Sequence, residues 1–101
     1  MSDLEKKLHN ELMDNYEAAK KELGYNAAYF LQMISEKGGY ETALHLIRTV
    51  NPSQGFTTLW ENERLDLSLE ATCLKEEYAE LFTEDDKQKC KERLLAHGFR
   101  V

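Results

Sequence analysis

Apolar side chains recur along the first quarter of the chain at Leu4, Leu8, Leu12, Tyr16, Ala19 and Leu23, with charged and amide residues filling the positions between them. Those intervals of three and four place all six on one stripe of a 3.6-residue period, which predicts an amphipathic helix. Ser2 and Glu5 have the spacing of a capping box at its start, and Gly24 supplies a residue able to take the left-handed stop. Asn26 is then placed to cap a second helix, Ala27 to about Lys37, with Ala27, Phe30, Leu31 and Ile34 on its apolar face and Gly38-Gly39 ending it. A third, about Tyr40 to Thr49, buries Ala43, Leu44 and Ile47.

Asn51-Pro52-Ser53-Gln54-Gly55 is the strongest break in the pattern, because proline lacks a backbone donor and biases the residue before it away from helix. Beyond it, Gly55 opens a short helix whose Phe56, Leu59 and Trp60 are expected to fill the centre of the fold. Leu65, Leu67 and Leu69 alternate with polar residues and read as an extended connector that drops two leucines into the core, with Ser68 or Asp66 capping the next helix. Ala71, Leu74, Tyr78 and Leu81 resume a helical beat, with an interruption expected near Glu76. Thr83 and Asp86 form a second capping pair for a last helix that runs to about Ala96 and stops at Gly98. The chain has one valine before Val101 and only two isoleucines, so no window carries the β-branched run of a strand. The expectation is an all-α fold, a single compact bundle of about five to six helices over residues 1–101 with short loops.

Charge changes this picture more than bulk composition does. Residues 1–56 carry eight acidic and six basic groups, residues 57–86 ten and two, and residues 87–101 one and five. An acidic middle therefore precedes a basic end, within a net charge of −6. Such a chain gains nothing from the counterion release that drives general nucleic-acid binding, so direct contact with nucleic acid is not expected outside the last helix. The longest apolar runs are four or five residues, far short of the roughly 20 that cross a bilayer. No membrane association is expected. Cys73 and Cys90 form neither a C-x-x-C pair nor a disulfide framework, which points to reduced thiols and a cytoplasmic location.

No stretch carries a specific catalytic or ligand-binding signature. Glu61, Glu63, Asp66 and Glu70 could suggest a divalent metal, but Glu61 and Glu63 diverge by about 160° if helical, and Arg64 offers a local ion-pair partner. The bland reading, a solvated helix junction tied by Arg64, is preferred. Glu70-Ala-Thr-Cys-Leu-Lys75 echoes the acidic-x-lysine element of restriction-type nucleases, an element that needs a sheet. His9, His45 and His97 fall on different predicted helices, with His9 and His45 read as surface residues and His97 as a complement to a helix C-terminus. The serines sit in caps and turns, and neither a phosphate-cradling loop nor a dinucleotide fingerprint is present. No enzyme activity, metal or cofactor is expected.

From Tyr25 to about Leu95 the chain resembles a family of small bacterial helical proteins of unassigned activity. The resemblance is carried by Gly24-Tyr25-Asn26-Ala27 with Phe30-Leu31-Gln32-Met33, Gly38-Gly39 with Glu41-Thr42-Ala43, Gly55-Phe56-Thr57-Thr58-Leu59-Trp60-Glu61 with Arg64-Leu65-Asp66-Leu67-Ser68-Leu69-Glu70-Ala71, and Leu81-Phe82-Thr83-Glu84. It departs from the family pattern at Cys73, where an apolar residue is usual, and near Glu76, where a proline is common. The resemblance implies an association with restriction and mobile-element systems.

The residues support three functional expectations. The first is a non-enzymatic protein-binding module, an adaptor or regulatory component of a bacterial defence-related or mobile-element system, using Tyr25 and Tyr29 because tyrosine is favoured at interfaces. The second is an acidic inhibitor of a nucleic-acid-binding enzyme, of the anti-restriction or anti-CRISPR type, presenting Glu61, Glu63, Glu76, Glu77, Glu80 and Asp85 in place of phosphates. The third is a helix-turn-helix DNA binder whose last helix offers Lys87, Lys89, Lys91 and Arg93 to phosphates.

Overall fold

The computed structural model describes residues 2–100, and among them the fold is all-α, with no strand. Helix α1 spans Asp3–Leu23, α2 Ala28–Ile47, α3 Gln54–Glu61, α4 Leu69–Cys73 and α5 Glu84–Ala96, with 3₁₀ turns at Leu65–Leu67 and Glu76–Leu81. The stripe of α1 buries Leu8, Leu12, Tyr16 and Ala19, and Gly24 ends the helix at φ 67°, donating its amide to the last turn. At its start the Ser2 hydroxyl accepts from the Glu5 amide at 3.1 Å. The Glu5 carboxylate accepts from the Ser2 hydroxyl, not its backbone amide, so only half of the expected box forms.

The predicted second and third helices are one interrupted element. Helix α2 breaks at Gly38, whose φ of 83° and ψ of 165° no side-chain-bearing residue adopts readily, and then resumes along a new axis. The break brings Gly39 against α1: a Cβ there would lie 2.6 Å from His9 Cα. The helices thus cross at a point where only hydrogen fits. Asn26 is not the cap of α2. Its side-chain oxygen accepts from the Tyr16 hydroxyl at 2.7 Å, and Ala27 stands at the N-cap without a side-chain bond.

The leucine alternation at 65–69 forms no extended connector. Leu65–Leu67 is a 3₁₀ turn, Leu65 is buried while Leu67 and Leu69 are half-buried, and Ser68 caps α4 by accepting from the Ala71 amide at 3.1 Å. The beat through Tyr78 breaks at Lys75, in extended conformation between α4 and the second 3₁₀ turn. At α5 the capping box is complete, with Thr83 and Asp86 each accepting the other's amide at 3.1 Å.

Two connected clusters make the core. One gathers Leu8, Leu12, Ile34, Ala43, Ile47, Tyr78 and Cys90 from α1, α2, α5 and the second 3₁₀ turn. The other gathers Ala19, Phe56, Leu59, Leu65 and Leu94 where α3 and α5 close over the end of α1. Leu74 packs against both. Polar ties cross the same seams, including Asn15 to Thr72 at 2.8 Å and the Tyr40 hydroxyl to the Leu81 carbonyl at 2.7 Å. The radius of gyration is 12.4 Å, close to the ~13 Å of a compact chain of this length. Among the described residues no helix is long and apolar enough to cross a membrane.

Candidate functional site: an apolar cleft and an acidic aromatic groove

A cleft of about 290 Å³ opens between α1, the start of α2, α3 and α4. Its floor is core: Leu12, Tyr16, Met33, Phe56 and Leu59 are buried, and Leu12, Phe56 and Leu59 belong to the two clusters. Its rim is exposed. Tyr29 stands 71% accessible at the first turn of α2, Asn26 and Gln54 are exposed beside it, and Tyr25 is half-buried in the connector before α2. The two tyrosines named from sequence thus share one rim, with Tyr25 in the connector and Tyr29 on the helix.

Glu70 also lines this cleft and departs from the expectation of a solvated acidic junction. It is 2% exposed, and its carboxylate meets Arg93 at 3.1 Å. Burial raises its pKa from the ordinary glutamate value, against the opposing pull of Arg93. The Arg93 side chain is 10% exposed, and its guanidinium donates as well to the Leu46 carbonyl at 3.0 Å and to that of Thr49. It therefore closes the open C-terminal end of α2 and is turned away from the surface that a phosphate would approach. Of the other α5 cations, Lys87 pairs with Glu84 at 3.3 Å, while Lys89 and Lys91 are exposed. Two residues apart on a helix, Lys89 and Lys91 point about 160° from one another.

The candidate acidic residues fall into separate groups. Glu76, Glu77 and Glu80 are exposed on the second 3₁₀ turn, Glu77 pairing with Lys7 at 3.3 Å, and Asp85 is exposed at the start of α5. Glu61 and Glu63 lie at the far end of α3, where they line a shallow groove with Trp60, Leu65, His97, Gly98 and Phe99. Trp60 is 45% exposed, so it does not fill the centre as its neighbours Phe56 and Leu59 do. It meets the His97 ring edge-on at 5.0 Å, and Phe56 meets the same ring at 4.9 Å. The His97 Nδ1 lies 2.7 Å from the Arg93 carbonyl, which can only accept, so that nitrogen carries the proton.

Arg64 ties carboxylates as expected, but one comes from a distant element: Glu22 of α1 at 2.7 Å, besides Asp66 at 3.1 Å. His9, expected at the surface, is half-buried and accepts the Gly39 amide on Nδ1 at 2.9 Å. His45 is exposed. The thiols of Cys73 and Cys90 are free and buried; burial raises both, that of Cys90 to about 12. Among the described residues no three His, Cys, Asp or Glu side chains are grouped so as to hold a metal ion. Sequence reasoning missed the cleft itself, because its walls are ordinary core residues of four different helices. No family model matches the chain, and no curated protein or solved structure matches it either.

Proposed function

We propose that this protein is a non-enzymatic protein-binding module, an adaptor or regulatory component of a bacterial defence-related or mobile-element system, working in the cytoplasm. The observation that carries the reading is the cleft beneath Tyr25 and Tyr29. Its volume of about 290 Å³ lies at the lower edge of the roughly 300–1,000 Å³ of cofactor and small-molecule sites. It suits a large apolar side chain of a partner, wedged against Met33 and Phe56, with the tyrosines closing over it as a rim that excludes water. The resemblance to small bacterial helical proteins supplies the setting.

Co-purification from a nuclease-treated native lysate, run in parallel with the Tyr29→Glu variant, tests this. A stoichiometric protein held by the parent chain and lost by a folded Tyr29→Glu variant is the expected result. Recovery of the same proteins with both, or of the bare chain with both, overturns it.

A second reading, the acidic inhibitor of a restriction or CRISPR-type enzyme, draws on the exposure of Glu76, Glu77 and Glu80 on one short turn with Asp85 at the start of α5. Carboxylates so presented can occupy a phosphate groove. Unchanged binding to such an enzyme after all four become Gln or Asn would exclude it. The third, DNA docking by α5, is weakened by the engagement of Arg93 with Glu70 and by the divergence of Lys89 and Lys91. Retardation of DNA in a low-salt gel shift is the result that would restore it.

A further inference from the structure

Helices α3 and α5 both end at the groove around Trp60. From α3 come Trp60, Glu61 and, just past its end, Glu63; from the end of α5 come His97, Gly98 and Phe99. A helix C-terminus carries partial negative charge and favours cations nearby. Here it meets carboxylates instead. Glu61 and Glu63 are exposed, and among the described residues neither forms an ion pair. The neighbouring Arg64 is already engaged by Glu22 and Asp66.

The backbone reinforces this arrangement. The Arg64 amide donates to the Leu59 carbonyl at 2.8 Å and the Glu63 amide to that of Trp60 at 3.0 Å, which is a Schellman stop. Its left-handed position, normally glycine, is held by Glu63 at φ 58°. A less favourable residue thus stands where a glycine would stop the helix at lower cost, and it adds a carboxylate to a groove that already has one. Beside them the Trp60 indole is 45% exposed and is braced by the His97 ring. An exposed indole next to carboxylates and two negative helix ends is complementary to one kind of group, a planar cation that can stack and donate together.

We infer that the Trp60–Glu61–Glu63 groove is a subsite for an arginine side chain of the partner protein, the guanidinium stacking on Trp60 and donating to Glu61 and Glu63. The inference rests on the protein-binding reading and adds the chemistry of a second contact. It gives the partner a basic segment, and it makes association dependent on salt.

Trp60 is the only tryptophan, so its fluorescence reports the groove directly. The full chain is titrated into the millimolar range with acetyl-Gly-Arg-Gly-amide, and with the Lys and Gln counterparts. The arginine peptide should give a saturable change, weaker for lysine and absent for glutamine. Glu61→Gln and Glu63→Gln should each weaken it roughly two- to fivefold, the range of exposed ion pairs. Glu63→Gly should weaken it similarly while raising Tm, which separates lost binding from lost folding. Equal responses to the arginine and glutamine peptides, or binding unaltered in Glu61→Gln and Glu63→Gln, would overturn the inference. Tyr29→Glu should bind the arginine peptide like the parent chain. Failure of the peptide with a cleft-dependent partner still recovered therefore removes this subsite alone, and peptide binding without such a partner removes the cleft reading alone.

Discussion

The Gly39 amide donates to Nδ1 of His9 at 2.9 Å, and the space where a Cβ at position 39 would sit is already taken by the His9 backbone. One residue before, Gly38 breaks α2 and frees an amide that the interrupted helix no longer satisfies. His9 acts as a cap supplied from another helix. Gly39→Ala should therefore destabilise the protein by about 1–3 kcal/mol, the usual cost of overpacking a close contact. His9→Ala should cost about 1 kcal/mol through the orphaned amide. Urea unfolding tracked by circular dichroism measures both, and a Gly39→Ala variant as stable as the parent would contradict the close crossing.

Glu70 and Arg93 are both largely out of water, so the pair is expected to behave asymmetrically. Glu70→Ala alone leaves a buried guanidinium with two carbonyls and no counter-charge, and should cost about 3–5 kcal/mol. Replacing both by methionine should cost much less than either single change. Chemical denaturation of the three variants checks the order, in which the double substitution must not be the least stable.

Asp86 accepts from Nε and Nη2 along one edge of the Arg48 guanidinium, at 3.0 and 3.1 Å, and from the Thr83 amide. The hydrogen bonds from Arg48 hold its pKa below the ordinary aspartate value, outweighing burial. A depressed carboxylate contributes stability that is complete above the unfolded pKa of about 4 and disappears as pH falls through the folded value. Asp86→Asn should lose about 1–2 kcal/mol at neutral pH, where the pair and the cap are intact. The gap to the parent chain should close in acid. Glu70 has a raised pKa and so acts in the opposite sense, which makes the variant-minus-parent difference the quantity to plot against pH.

Burial raises both thiols, Cys90 to about 12 and Cys73 well above its ordinary value, so little thiolate exists at neutral pH. A disulfide reagent such as DTNB should react with the folded protein only as fast as the core opens. In denaturant both thiols should react promptly. Fast labelling of either cysteine in the folded chain would show that its helix face is not packed as described.

The limits of the stripe on α1, the stops at Gly24 and Gly98 and the Thr83–Asp86 box were all legible in the sequence, and Ser68 was one of two caps it offered for α4, because each depends on residues within four positions of one another. The low valine and isoleucine content excluded a sheet for a similarly local reason. Asn26, His9, Glu70, Arg93 and Trp60 were not legible in the same way. Asn26 looked like a cap until Tyr16, ten positions away, took its oxygen; Arg93 looked like a surface cation until α4 and the end of α2 closed on it. The cleft and the groove exist only where helices far apart in the chain converge. Local hydrogen-bond chemistry and helical period therefore determined the elements, whereas the partner of each polar side chain was decided by which helices met, a choice made by long-range packing that no short window of sequence contains.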